Sequence, residues 1–315
     1  MKGQLFAFAL GTLMLTACSN DDIFTEEGTN KSVAQFSATI DEPITRGTPT
    51  AWAANDAIGI SGTSGATEYT NVNYVTTRGD GNFTPKNESE TIYYQDDKTV
   101  NFTAYYPWND LNGATTISAD TWKQANQKTF DFLWAQAEGS KASNKVSFSF
   151  GHKMSQLTLT IKCGDDVSYE DVKAAILSLE GFKNNGSFDV VSGTATASGD
   201  ASGKWTFANN TAKTDYNALY TASDASKEVK YDLIVFPQEF TEALPFYAEV
   251  EGQQTFKATL DFTSANAERD TNAKNEWVAG RRYYMRIFLN KTGITVEGCT
   301  INAWQAVDGG DVTAK

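Results

Sequence analysis

Ala34, Phe36, Ala38 and Ile40 alternate with Gln35, Ser37, Thr39 and Asp41. In an extended chain this puts four apolar side chains on one face and four polar ones on the other. The spacing predicts a half-buried strand, and residues 42–48 then break the pattern with Pro43 and Gly47. Arg46 sits in that break, where a protease could reach it, so the strand is a removable one. The alternation returns at Val100, Phe102, Ala104 and Tyr106 and stops at Pro107. It recurs at Val146, Phe148 and Phe150 and, beyond Gly151-His152-Lys153, at Leu157, Leu159, Ile161 and Cys163. Further strands are expected over 176–182, 187–191, 205–207, 231–236, 246–250 and 256–262. Tyr283, Met285, Ile287 and Leu289 alternate with Tyr284, Arg286 and Phe288. The closing segment, 293–304, carries Ile294, Val296, Ile301 and Trp304, with Glu297 and Gly298 interrupting its rhythm.

Between these runs the signal is weaker. Residues 120–128 read as a short helix or coil, 168–175 as one helical turn or an irregular edge, and 264–275 as a polar, helix-compatible connection. Gly59 to Gly65 is rich in Gly, Ser and Thr but lacks a following Gly-Lys-Ser/Thr, so it is expected to be a turn and not a phosphate cradle. Gly79-Asp80-Gly81-Asn82 is a second turn with too few oxygen ligands for calcium. Many short strands divided by turn residues predict an all-β chain built of sandwiches or barrels. Two strong strands end in the charged turn Gly164-Asp165-Asp166, which places a boundary between domains at 32–164 and 165–315.

Composition changes this picture only at the edges. With 39 acidic and 26 basic residues the formal charge is −13, and no Lys/Arg-rich run offers a surface for phosphates, which excludes nucleic acid as a partner. Residues 1–17 have the layout of a signal peptide: Lys2, an apolar run from Leu5 to Leu15, and Ala17 before Cys18. Leu15-Thr16-Ala17-Cys18 resembles a lipobox, in which lipid on Cys18 would anchor the chain to the outer membrane, and residues 18–31 form an acidic tether. Cys163 and Cys299 are expected to be small buried side chains in different domains, without a disulfide or a zinc spacing. His152, the one histidine, would need partners for a catalytic role and is expected instead to make a buried hydrogen bond. No catalytic, cofactor-binding or metal-binding motif emerges, so the chain is not expected to be an enzyme. Seven Trp and thirteen Tyr leave open a surface glycan-binding lipoprotein of a nutrient-uptake system.

Several local patterns together resemble the fimbrillin family, the subunits of type V pili, including minor-fimbrium-like surface lipoproteins. They are the lipobox at Cys18, Thr45-Arg46-Gly47, Trp52 with Asp56-Ala57-Ile58-Gly59-Ile60, and Tyr105-Tyr106-Pro107. Phe150 to Leu157, Ala279-Gly280 before Tyr283-Tyr284, and Thr292 to Val296 followed by Ile301 and Trp304 complete the series in order. The resemblance implies two tandem transthyretin-like Greek-key β-sandwiches, export as a lipoprotein to the cell surface, and incorporation into a fimbrium. It further implies that an arginine-specific protease cuts between Arg46 and Gly47 and that the strand bearing Ala34, Phe36, Ala38 and Ile40 is lost. A terminal strand of another pilus subunit would fill the groove. In this chain the candidate donor carries Ile294, Val296, Ile301 and Trp304.

Overall fold

The computed structural model describes residues 32–40, 52–208, 219–250, 255–268 and 270–303. Within them the fold is predominantly β and divided among several sheets. Helix is confined to short pieces such as Tyr169–Ala174, which starts where the Ser168 hydroxyl and the Asp171 carboxylate cap each other's backbone N–H groups.

Seven strands close into a barrel, in the order Lys145–His152, Gln35–Ile40, Asn82–Pro85, Thr67–Thr76, Asp56–Ser64, Val100–Tyr106 and Leu133–Gly139. Alternation fills its interior: Val146, Phe148 and Phe150 are buried while Lys145, Ser147 and Ser149 face outward. Phe36, Ile58, Ile60, Tyr74 and Phe102 meet them in one apolar cluster. The stretch from Gly59 that was expected to turn instead runs as strand to Ser64. Its glycines have a packing reason, since a Cβ at Gly59 or Gly62 would run into the Tyr105 or Phe102 ring.

The second core lies between two sheets. One is ordered Leu219–Ser223, Glu228–Val235, Ser155–Cys163, Arg281–Asn290 and Gly293–Ala303. The other is ordered Gly203–Ala208, Ile176–Phe182, Leu244–Glu249 and Thr255–Leu260. Leu157, Leu159, Ile161, Tyr283 and Met285 from the first meet Leu177, Leu179, Trp205 and Phe246 from the second. The alternation at Leu157, Leu159 and Ile161, assigned by sequence order to the first half, therefore belongs to the second core. Sequence proximity suggested a neighbour of Lys145–His152, whereas Ser155–Cys163 pairs with strands more than sixty residues away in the chain. Cys163 and Cys299, expected in different domains, stand on the two strands that flank Arg281–Asn290, and both are free thiols.

A three-stranded sheet, Thr116–Asp120 with Asn185–Asp189 and Thr194–Ser198, joins the halves. Phe132 stacks on Phe188 at 4.6 Å, with Met154, Ile234 and Phe236 around them. The helix or coil expected over 120–128 resolves into the end of a strand and the 3-10 helix Gln124–Thr129. There the Gln124 amide substitutes for a neighbouring strand. It accepts from the Ile234 N–H at 2.9 Å and donates to its carbonyl at 2.9 Å.

Candidate functional site

The opening strand Gln35–Ile40 is the piece that closes the barrel. Its residues pair in parallel with Lys145–His152, from Gln35 opposite Lys145 to Ile40 opposite Phe150. On the other side the antiparallel pairing covers only Phe36 with Phe83 and Ser37 with Asn82. Ala34, Phe36 and Ala38 are 3%, 4% and 5% exposed, and Ile40 packs against the same cluster half-buried. Gln35 and Thr39 face outward, as the alternation requires.

Phe36 is the plug of the barrel. Its ring meets Tyr74 edge-on at 5.0 Å and Phe102 edge-on at 5.2 Å, and stacks on Phe148 at 5.8 Å. The Tyr74 hydroxyl accepts from the Ile92 N–H at 3.0 Å, and burial pushes its phenol up to about 12. Taking the strand away would leave three aromatic faces and the ladder groups of two neighbouring strands without partners.

Backbone contacts hold the strand at several points. Ala34 donates to the Ile92 carbonyl at 3.0 Å, Gln35 to Asn144 at 2.8 Å, and Ala38 to Gly81 at 2.8 Å. The Trp52 indole donates to the Ala38 carbonyl at 2.8 Å, and its ring packs on Phe83, Tyr106 and Phe150. Gly81, at φ 80°, has no room for a side chain because a Cβ would lie 2.5 Å from the Ala38 carbonyl oxygen. Alternation picks out the inward face of the strand but says nothing of Asn144 or Trp52 as its anchors. Gly79-Asp80-Gly81 carried the one usable signal, a turn demanding positive φ.

Cys18, Arg46, Gly47 and Trp304 lie outside the described residues. Ile294 and Val296 pack half-buried against the second core, and Ile301 is paired through its backbone with Tyr283. They lie on Gly293–Ala303, the edge strand of its sheet, whose ladder slips between Met285 and Arg286. The slip leaves out Gly298, at φ 43°, so the broken rhythm at Glu297 and Gly298 is a β-bulge. The opening and closing strands thus belong to different cores.

His152 is buried with its Nδ1 2.8 Å from the Asp131 carboxylate. Among the described residues no group of three or more His, Cys, Asp or Glu could hold a metal ion. Trp52, Trp205 and Trp277 are core side chains, closed to a glycan.

Comparison with known proteins agrees with this architecture. A family model described as fimbrillin-like matches residues 45–304. A candidate fimbrium subunit of Bacteroides uniformis, Fim1C, is 30% identical over 323 residues, which is 100% of this chain and 99% of the relative. A crystal structure of a candidate cell adhesion protein from Bacteroides uniformis aligns with a TM-score of 0.65 at 27% identity, over 87% of this chain and 99% of that one. One from Bacteroides ovatus, also a candidate cell adhesion protein, shares the fold with a TM-score of 0.68 at 23% identity, over 89% and 100%. On the match over residues 45–304, this chain belongs to the fimbrillin-like family.

Proposed function

We propose that the protein is a structural or adhesive subunit of a cell-surface type V pilus, carried to the outer membrane by lipid on Cys18. An arginine-specific protease cuts between Arg46 and Gly47, the opening strand leaves, and a terminal strand of another subunit takes its place. As a fimbrillin-like chain it is not an enzyme. The observation that carries the reading is Phe36, packed among Tyr74, Phe102 and Phe148 on a strand ten residues before Arg46. Vacated, that place is a template for strand addition: main-chain bonds supply affinity and the Phe36 pocket supplies register. The relative named as a candidate fimbrium subunit supports assembly, and the named cell adhesion protein of Bacteroides uniformis supports an adhesive role.

The donor in this reading is 293–304. Gly293–Ala303 is an edge strand, so releasing it breaks one ladder rather than two. The two larger of the three apolar clusters support a build of two tandem transthyretin-like Greek-key sandwiches, the first with its sheets joined into a barrel by the opening strand. The test is to treat the purified precursor with an arginine-specific protease and follow mass and assembly state. Loss of residues before Gly47 followed by polymer formation, or by capture of a 293–304 peptide, is expected. A cleaved product that keeps its opening strand and neither assembles nor binds the peptide would refute the mechanism.

A further inference from the structure

A half-open cavity of ≈ 450 Å³ lies against the strand Thr67–Thr76, lined in part by Asn73, Lys86, Asn87, Glu90, Trp108 and Asp110. Its size falls in the range of small-molecule sites, roughly 300–1,000 Å³. It plays no part in holding the opening strand.

The cavity is built on a fixed frame. The Trp108 indole donates to the Asn71 carbonyl at 3.3 Å and its backbone N–H to the Ala57 carbonyl at 2.9 Å, so the half-buried ring is held in place. Behind it the Tyr105 hydroxyl donates to the Asn71 amide oxygen at 2.7 Å, and the Asn71 amide donates to the Asn109 carbonyl at 2.9 Å. At the rim Asn112 at φ 47° and Gly113 at φ 85° make a tight turn beside Asp110, and the Asn87 amide donates to Glu90 at 3.0 Å. One group is left over. Asn73 is only 6% exposed, and its Oδ1 has no hydrogen-bond partner. A buried amide oxygen without a donor is costly, and Asn73 is one of the residues that line the cavity.

The lining selects a ligand class. Glu90 and Asp110 outnumber Lys86, which disfavours an anion. An apolar ligand would strip water from the asparagines and both carboxylates without replacing it. A neutral sugar suits the set, because its C–H face can lie on an indole while its hydroxyls both donate and accept. The exposed Lys86 ammonium lies 5.8 Å from the Trp108 ring centroid, on a flexible stem that can swing aside.

We propose that this cavity binds a neutral saccharide, stacked on Trp108 and hydrogen-bonded by Asn87 and Asp110. The site is complete in the uncleaved chain, so it stands or falls independently of strand exchange. The experiment prints a panel of neutral, sialylated and sulfated oligosaccharides, probes it with the uncleaved full chain, and measures each hit by titration calorimetry. Binding to neutral glycans is expected, with at least a tenfold loss in Trp108→Ala. Because that change removes packing, Asn87→Ala and Asp110→Ala, at exposed rim positions, form the second arm and should each weaken binding severalfold with an unchanged melting temperature. No binding to any neutral glycan would overturn the proposal. So would binding confined to anionic ones, or neutral binding that survives all three substitutions.

Discussion

Phe36 concentrates the account into one side chain. Truncating a buried aromatic ring costs about 3–5 kcal/mol in transfer and cavity terms, and Phe36 is 4% exposed with three ring partners. Phe36→Ala should therefore lower the stability of the uncleaved chain by about that amount in denaturant unfolding. A change under about 0.5 kcal/mol, the level of ordinary surface substitutions, would mean that the ring is not part of the core. A second residue-scale effect concerns pH. The Ser168 hydroxyl, and then its backbone N–H, hold the Asp171 carboxyl below the usual 3.8. A depressed folded value contributes stability above the ordinary aspartate range, and that contribution is lost as pH falls through the lowered value. Asp171→Asn should therefore reduce the melting temperature at neutral pH and flatten its fall as pH drops below the ordinary aspartate range. An unchanged acid profile would contradict the capping role. His152 was legible in outline, since a lone histidine without partners in sequence is expected to hydrogen-bond, but Asp131 as its partner was not.

At the scale of elements, period-two alternation located the main strands because each has one face in a core: 34–40, 100–106 and 283–289 all read directly. What alternation lacks is partner identity. The parallel pairing of Gln35–Ile40 with Lys145–His152, and of Ser155–Cys163 with Arg281–Asn290, joins segments more than a hundred residues apart. Closure of the barrel, and the place of Ser155–Cys163 in the second core, were invisible for that reason. Glycines misled at Gly59 to Ser64, where they make room for aromatic rings inside a strand. The parallel pairing itself yields a test. Ser37 and Ser147 face each other with their hydroxyl oxygens 3.0 Å apart, close enough for Ser37→Cys with Ser147→Cys to form a disulfide. Oxidised, the double variant should be cut after Arg46 yet keep its opening strand and fail to assemble, and reductant should restore assembly. Assembly at wild-type rate in the oxidised form would show that the strand need not leave.

For the molecule as a whole, the opening strand differs from the other barrel strands in what its loss requires. It is the first of the seven barrel strands in chain order, so one cut after Arg46 severs it from the other six, whereas any other barrel strand needs two. Its departure turns a closed barrel into an open one with two fresh edges, which in water invites either another strand or aggregation. The final strand, on the edge of the other core, could leave its sheet without unmaking the first. Under the proposed exchange, socket and donor in one chain would be head-to-tail surfaces, and repeated contacts of that kind build a filament. The most direct measurement of this account is mass spectrometry of the N-terminus in two pools from the cell surface, the monomeric chain and the chain in high-mass assemblies. The account predicts acylated Cys18 at the start of the monomer and Gly47 at the start of the assembled subunit. Assemblies whose subunits begin at acylated Cys18, with residues 32–46 intact, would contradict it.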